Sequence, residues 1–243
     1  MRQMWKSFIH KHILIPKLLN FLYPSKCPVC GNETDVSGFA PICGQCWQGI
    51  KRYTGPSCMV CAAPLVSEYA EVCGQCIKNP PMFSRVIICG LYEETLSEAI
   101  NQFKFYGIKR LAKPLAELLL GLDLPEMDGI VPVPLSIKGL RERGFNQSLL
   151  VARVLSKKMR IPLLMDTLFK IKETPPQIGL SAKERLSNIR KAFMVKGKIE
   201  GLRLFLVDDV MTTGATVTEC SKVLKKAGAK EVIVLTLARA SLM

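Results

Sequence analysis

The chain has 243 residues, of which 49% are hydrophobic and 7% aromatic, and its formal net charge is +14. This composition excludes an intrinsically disordered chain, and the length suits one large domain or a core domain with a small appendage. No apolar run reaches the roughly 20 residues that a membrane-spanning helix needs, so we expect a cytoplasmic protein.

The first 23 residues include the patchy apolar stretch IHKHILIPKLLNFLYP. Lysine, proline and asparagine interrupt it, which predicts a short amphipathic segment over residues 1–23 that packs on the rest of the protein. Peripheral contact with the inner membrane is the alternative interpretation.

Ten cysteines are present, and eight of them form four Cys-x-x-Cys pairs within residues 27–76. Four such pairs in a short segment are typical of structural zinc, because each ion takes four thiolates. The pairs recur as CPVC…CGQC and then CMVC…CGQC, which indicates two similar repeats. We therefore predict two zinc sites, formed by Cys27, Cys30, Cys43 and Cys46 and by Cys58, Cys61, Cys73 and Cys76. A crossed pairing of the four motifs is the alternative.

Disulfides would need an oxidising compartment, which nothing in the sequence signals. A segment of this size has little core of its own, so bound metal should supply much of its folding free energy. Thiolates bound to two zinc ions would change the formal charge of residues 1–76 from +3 to about −1. This leaves little positive charge for phosphates, and we predict that the zinc ribbons are structural or bind a partner.

After residue 80 the sequence alternates between apolar strands and amphipathic helices. Strands are predicted at residues 84–92, 129–134, 203–209 and 231–238, and helices at 94–105, 111–121, 145–159, 181–193 and 215–228. This alternation is typical of a mainly parallel sheet covered on both faces. We predict an α/β domain over residues 81–243, after a double zinc ribbon over residues 24–80. Ligands of such sheets bind at the carboxyl ends of the strands.

The positive charge is concentrated in one region. Residues 136–203 contain 16 Lys and Arg against 5 Asp and Glu. Such a surplus indicates an anionic ligand, although a solvated helix face would produce the same count.

The segment FLVDDVMTTGAT (residues 205–216) ends a predicted strand with Asp208 and Asp209, which we expect to be exposed. The turn into the next helix, named the threonine turn below, consists of Thr212, Thr213, Gly214, Ala215 and Thr216. Amides at a helix N-terminus suit a phosphate, and carboxylates suit a sugar diol or a ligand-bound metal ion. Capping of the helix is the plainer explanation, but it needs only one such residue. The sequence has no Walker loop and no G-x-G-x-x-G fingerprint, which argues against a kinase, an NTPase and a dinucleotide enzyme.

This segment resembles the phosphoribosyl-pyrophosphate (PRPP) signature of type I phosphoribosyltransferases. The chain as a whole is similar to the competence protein F (ComF/ComFC-like) family over almost everything after residue 20. The segments that follow the family pattern in order are FLYPSKCPVCG, the CGQC repeats, FKFYG (103–107), VPVPLSIKGLRERGFNQS (131–148), TPPQIGLSAKERLSNIRKAF (174–193) and RLFLVDDVMTTGAT.

The resemblance implies that Asp208 and Asp209 hold the ribose hydroxyls of PRPP and that the threonine turn holds its 5′-phosphate. Arg141 and Arg143 would lie in the pyrophosphate loop, Mg²⁺ would arrive with the pyrophosphate, and the basic segment 170–193 would include a hood over the site. The family name implies DNA uptake in natural competence, with single-stranded DNA and other DNA-uptake proteins as partners.

One position departs from the purine-salvage members of the superfamily, which carry an aspartate where this chain has Thr212. No carboxylate follows Asp209 within the turn, and both histidines, His10 and His12, are far from it in sequence. No catalytic acid or base is therefore identified. The sequence leaves open phosphoribosyl transfer to an unknown acceptor, non-catalytic binding of single-stranded DNA, and a structural zinc adaptor. The adaptor leaves the acid pair and the threonine turn unexplained.

Overall fold

A computed structural model describes residues 26–34, 40–173 and 188–241, and the chain divides into two compact units after Gly49. The predicted amphipathic segment, residues 1–23, lies outside the described residues, as does most of the predicted hood. Among the helices in the described ranges, none combines the length and the apolar character needed to cross a membrane.

The first unit contains the first cysteine repeat. Its chain turns at Gly31, where φ is +77°, a backbone conformation that glycine adopts without strain. Cys43 is the N-cap residue of helix α1 (Gly44–Gln48), and its sulfur accepts a hydrogen bond from the backbone N–H of Cys46. The buried side chains among the described residues of this unit include Cys27, Ile42, Cys43 and Cys46. The cysteines thus form much of the interior.

The second unit begins with the second cysteine repeat and continues into the sheet. Cys73, the residue equivalent to Cys43, is the N-cap residue of helix α2 (Gly74–Lys78). The backbone N–H of Val86 donates to the carbonyl of Val60 at 2.9 Å, which joins this repeat to the first strand. The proposed limits of ribbon and α/β domain, residues 24–80 and 81–243, stay a prediction.

Six strands are present in the described residues: β1 (Arg85–Leu91), β2 (Gly129–Pro132), β3 (Leu168–Lys170), β4 (Phe193–Val195), β5 (Arg203–Met211) and β6 (Glu231–Arg239). Four of them form a parallel sheet in the order β1-β6-β5-β2. Strands β3 and β4 form a separate antiparallel pair. The predicted α/β class is confirmed.

The larger helices of the second unit are α3 (Glu94–Lys104), α4 (Ala112–Leu120), α5 (Ile137–Arg143), α6 (Gln147–Met159) and α7 (Ala215–Lys226). In α3 the side chains of Leu96, Ile100 and Phe103 form an apolar stripe and are no more than 2% exposed. In β5, Leu204, Phe205, Leu206 and Val207 are all fully buried. Because consecutive strand residues point to opposite faces, the sheet is covered on both sides, as predicted.

Two segments have a different type of secondary structure from the one predicted. The helix predicted at residues 181–193 ends before Phe193, which begins β4 and pairs with Lys170 of β3; residues 181–187 lie outside the described residues. The stretch after VPVP, predicted as a loop, contains helix α5. Ser136 caps this helix by accepting a hydrogen bond from the backbone N–H of Gly139 at 3.1 Å, and Gly144 ends it with φ of +74°.

Candidate functional site

The eight paired cysteines lie in two tetrads, grouped as the sequence repeat predicts and not in the crossed arrangement. In each tetrad the four sulfur atoms lie within 4.8 Å of one another. The Sγ atoms of Cys30 and Cys43 are 3.6 Å apart, and those of Cys61 and Cys73 are 3.7 Å apart. Four thiolates bound to one zinc ion at about 2.3 Å would be separated by roughly 3.8 Å. The donor set and its spacing therefore fit two structural zinc ions.

Backbone amides support the sulfur atoms in the same way in both tetrads. The N–H of Cys43 donates to Sγ of Cys27 at 3.4 Å, and the N–H of Cys73 donates to Sγ of Cys58 at 3.3 Å. Hydrogen bonds of this kind favour the thiolate form, which is the form that binds metal. The sequence repeat is thus a repeat of local structure.

The acid pair lies within β5, two residues before its end, and both side chains are buried. Asp208 is 9% exposed and Asp209 is 3% exposed, so the expectation that they are exposed is wrong. The apolar run stops at Val207, but the backbone keeps pairing with β6 as far as Met211. Strand pairing, not hydrophobicity, sets the end of this strand.

Three side chains from two helices contact the acid pair. Lys104, the last residue of α3, forms an ion pair with Asp209 at 2.7 Å. At the start of α6, Gln147 donates to Asp209 at 3.2 Å and Ser148 donates to Asp208 at 3.1 Å. Buried carboxylates are tolerated because they are hydrogen-bonded and paired in this way.

The two carboxyl groups differ in their pKa. Burial and the adjacent charge of Asp209 raise the pKa of Asp208 to about 7. Burial also acts to raise the pKa of Asp209, but the Lys104 ammonium group outweighs it and holds that pKa below its usual value. Asp209 and Lys104 therefore form a fixed charged pair, while Asp208 titrates near neutral pH.

The threonine turn forms a small cavity at the N-terminus of α7. Gly214 precedes the helix with φ of +79°, and a Cβ atom there would lie 2.5 Å from Cε of Met211, so both backbone conformation and space favour glycine. The first hydrogen bond within α7 runs from the N–H of Thr218 to the carbonyl of Gly214, so the preceding amides point out of the helix end. The cavity has a volume of about 20 Å³ and includes Asp208 in its lining. Free amides at a helix N-terminus are favourable contacts for a small anionic group.

A larger cavity, named the main cavity, lies at the carboxyl edge of the sheet and has a volume of about 480 Å³. Asp208 and Thr212 line it together with three cationic side chains, Lys104, Arg143 and Lys170. Its apolar lining consists of Phe105, Val133, Pro134, Leu135, Ile189, Phe193 and Val210. The lining of the cavity thus combines positively charged and apolar side chains.

The two predicted pyrophosphate-loop arginines have different positions. Both lie in α5, not in a loop. Arg143 lines the main cavity, and its Nη1 atom is buried without a hydrogen-bond partner among the described residues. Arg141 is exposed and is not part of the described cavity linings. A buried guanidinium nitrogen of this kind is suited to an anionic ligand.

The sequence alone assigns no role to Lys104, Gln147 or Ser148, although they lie in the segments FKFYG and GFNQS, which follow the family pattern. Asn146 is the residue that could have indicated Gln147 and Ser148 as site residues. It caps α6, and its side-chain amide donates to the carbonyl of Val133 at 3.0 Å. This contact fixes the start of α6 beside the end of β2. Polar residues in a first helical turn next to a strand end are candidates for a ligand site.

Comparison with protein families assigns both parts of the chain. Residues 18–77 match the double zinc ribbon domain, and residues 146–241 match the phosphoribosyl transferase domain. Among solved structures, the chain has a distant likeness to glutamine PRPP amidotransferase from B. subtilis, with 27% identity, a TM-score of 0.36, and coverage of 53% of this chain and 25% of that chain.

Several relatives match along most of their length. Competence protein F of Haemophilus influenzae is 39% identical over 92% of this chain and 100% of its own. DNA utilization protein YhgH of Salmonella typhimurium is 33% identical over 89% of this chain and 97% of its own. Competence protein ComFC of Bacillus subtilis is 27% identical over 82% of this chain and 84% of its own. With both domains matched in order, the chain belongs to the competence protein F family, whose members join a double zinc ribbon to a phosphoribosyltransferase-type domain.

Proposed function

We propose that the main cavity binds PRPP with Mg²⁺ and that the protein acts in the DNA uptake or DNA utilization for which its relatives are named. The observation that carries the proposal is the position of Asp208, which lines both the main cavity and the small cavity of the threonine turn. A ligand that fills both cavities must offer hydroxyl donors and an anionic group close together, as a ribose 5-phosphate does.

In this proposal Asp208 accepts a hydrogen bond from a ribose hydroxyl. Ser148 and the backbone N–H of Asp209 both donate to its Oδ1 atom, at 3.1 and 2.9 Å. A carboxylate accepts more than two hydrogen bonds, so Oδ2 is the atom assigned to the ligand. Asp209 is held by Lys104 and Gln147 and keeps the local charge fixed.

The 5′-phosphate is assigned to the amides of the threonine turn, where the helix dipole adds a favourable field. The pyrophosphate with its Mg²⁺ is assigned to the cationic wall, with Arg143 as the main contact because its Nη1 atom is buried and lacks a partner in the described structure. Lys170 brings a second positive charge from β3. Mg²⁺ would supply charge neutralisation for the pyrophosphate.

Transfer of the phosphoribosyl group is the further step that we propose for this site. Apolar side chains at Val133, Leu135 and Phe193 suit the face of a flat acceptor ring. No residue is assigned as the acid or base of the transfer, and the acceptor is to be sought among nucleobases and amines.

Isothermal titration with Mg²⁺ and PRPP tests the binding step. Asp208→Asn keeps the size of the side chain and removes its charge, and we expect an affinity loss of about tenfold or more, since a hydrogen bond to a charged group contributes about 1.5–3 kcal/mol. Asp128→Asn is the matched control, because Asp128 pairs with Arg203 at the opposite end of β5. Equal affinity of wild type and Asp208→Asn, with both folded, would refute the proposal.

A second candidate function, binding of single-stranded DNA, is favoured by the aromatic side chains that follow α3. Phe105 is 60% exposed and Tyr106 is 72% exposed. The Lys104 ammonium lies 5.7 Å from the centroid of the Phe105 ring, and the Arg143 guanidinium lies 5.9 Å from it. Exposed rings next to cations are the surface on which bases stack while phosphates are neutralised.

The corresponding experiment is fluorescence anisotropy with a labelled oligonucleotide. The double variant Phe105→Ala and Tyr106→Ala should bind at least about fivefold more weakly, because stacking contributes about 1–3 kcal/mol per base. Tyr69→Ala is the control, since Tyr69 is 98% exposed in the second cysteine repeat. Affinity should also fall steeply with added salt. Equal binding by both variants would remove this candidate.

A further inference from the structure

Arg239, the last residue of β6, is a buried cation that lies outside the linings of both cavities. It is only 3% exposed. Burial of a guanidinium group is costly unless several of its donors are satisfied and its charge is compensated. Its Nε is buried without a hydrogen-bond partner among the described residues, so the contacts of the other guanidinium nitrogens indicate why the arginine is there.

One set of partners lies at the start of the threonine turn. Nη1 of Arg239 donates to the carbonyl of Met211 at 3.3 Å and to the carbonyl of Thr212. The backbone N–H of Ala240 also donates to the carbonyl of Met211, at 2.9 Å. Arg239 therefore fixes the point at which β5 ends and the turn begins.

The other partners are sulfur atoms of the second tetrad. The guanidinium hydrogen-bonds to the Cys61 side chain and interacts electrostatically with those of Cys73 and Cys76. Cys61 and Cys76 are buried in the same hydrophobic cluster as Met211 and Ala215. A zinc ion with four thiolates carries a net charge of −2, which compensates a buried arginine.

The planar fork of arginine explains why one side chain can serve both groups. It presents five donors in a rigid arrangement, so it can bond to sulfur on one side and to carbonyl oxygens on another. A lysine at this position would retain the charge but would lack the fork.

We propose that Arg239 is a positioning residue through which zinc in the second tetrad holds the threonine turn in the shape that receives a phosphate. The phosphate itself rests on the proposed PRPP function, but the shape of the turn can be measured without any ligand. Loss of zinc from this tetrad, or of the arginine fork, then loosens residues 211–218.

Hydrogen–deuterium exchange of the full-length chain tests this inference. In Arg239→Met, peptides covering residues 211–218 should exchange about tenfold faster, which corresponds to about 1.4 kcal/mol of local opening free energy. The zinc content should stay at two ions per chain. Arg203→Met is the control, because Arg203 starts the same strand β5 and pairs with Asp128. Unchanged exchange at residues 211–218 would overturn the inference.

A double-mutant cycle tests the part of the inference that involves zinc. Cys73→Ser removes the tetrad ligand with the least burial and should accelerate exchange in the same peptides. Adding Arg239→Met should have little further effect if both act through one contact, whereas additive effects would contradict the coupling. If Arg239→Met does not fold, Arg239→Lys takes its place, with a smaller acceleration expected and an unchanged rate as the contrary result.

Titration of the same variants with Mg²⁺ and PRPP separates this inference from the proposed function. We expect PRPP affinity to fall about tenfold in Arg239→Met, in parallel with the faster exchange. If wild type does not bind PRPP, the proposed function fails, and the exchange rates still decide the role of Arg239. If PRPP binds equally to wild type and Arg239→Met, the turn does not depend on Arg239 for its shape and the inference fails alone.

Discussion

The two cysteine tetrads have nearly the same sequence and share a backbone hydrogen bond to their first sulfur, but their surroundings differ. The first belongs to a small unit whose described interior is formed largely by the cysteines themselves. The second belongs to the unit of the parallel sheet and shares its hydrophobic cluster with β5, β6 and α7. The same motif therefore lies in a small compact unit in one case and in the hydrophobic cluster of the parallel sheet in the other.

This difference shows that a repeated motif can keep its metal chemistry while its role changes with its neighbours. The sulfur separations of 3.6 and 3.7 Å indicate equal suitability for zinc. What distinguishes the second tetrad is Arg239, which hydrogen-bonds to the Cys61 side chain and to the carbonyls of Met211 and Thr212. The two tetrads should therefore respond differently when each is perturbed.

The largest expected difference follows from removing one buried zinc ligand in each tetrad. Cys76→Ser should lower the melting temperature of the second unit by roughly 10 °C or more, since structural zinc contributes several kcal/mol to folding. Cys46→Ser should leave that transition nearly unchanged, because Cys46 belongs to the other compact unit. Calorimetry measures the melting temperature of the second unit in each variant, and zinc analysis should show that each variant has lost one ion. Equal shifts in the two variants would contradict the distinction.

A smaller effect should distinguish two glycines with positive φ, one in each unit. Gly214→Ala introduces a left-handed alanine and a Cβ atom 2.5 Å from the Met211 side chain. Keeping the turn in its present conformation with a left-handed alanine costs about 1–2 kcal/mol. We therefore expect PRPP affinity to fall about tenfold. Gly31→Ala has similar strain at φ of +77° but nothing within 4 Å of its Cβ, and it should not change PRPP affinity. Titration of both variants with Mg²⁺ and PRPP measures these affinities. Equal affinity for Gly214→Ala and wild type would contradict the assigned position of the phosphate.

The last expected difference is a gradual pH dependence of the second unit. Since the pKa of Asp208 is raised to about 7 from a usual value of 3.8, the folded protein holds a proton that the unfolded chain releases between these values. Stability should therefore fall as pH rises from about 4 to about 7, by at most about 1.4 kcal/mol per pH unit. Asp208→Asn should remove this slope in urea unfolding of the second unit. Parallel slopes in wild type and variant would show that Asp208 is not perturbed in this way.

The sequence predicted the sheet and the cysteine tetrads because these depend on local patterns. The apolar run Leu204–Val207 gives a doubly buried strand, and the Cys-x-x-Cys spacing gives the tetrads. The end of β5 was mispredicted because the acid pair interrupts the apolar run, whereas Val210 and Met211 continue to pair with β6. Such pairing depends on a neighbouring strand and leaves no mark in the local pattern.

The burial of the acid pair also depends on residues that are distant in sequence. Lys104 precedes Asp209 by more than 100 positions and comes from another helix. Nothing at residues 205–216 shows that a lysine will neutralise this carboxylate. Helix α5 had readable signals, Ser136 as its cap and Gly144 at its end, but its seven residues have no buried side chain that would produce an apolar stripe.

The most direct test of the central claim is a crystal structure of the full-length chain with PRPP and Mg²⁺. We expect the 5′-phosphate at the amides of the threonine turn, the ribose hydroxyls on Asp208, and the pyrophosphate beside Arg143. A bound PRPP whose phosphate lies away from residues 212–216, or a main cavity that stays without ligand at saturating PRPP, would contradict it.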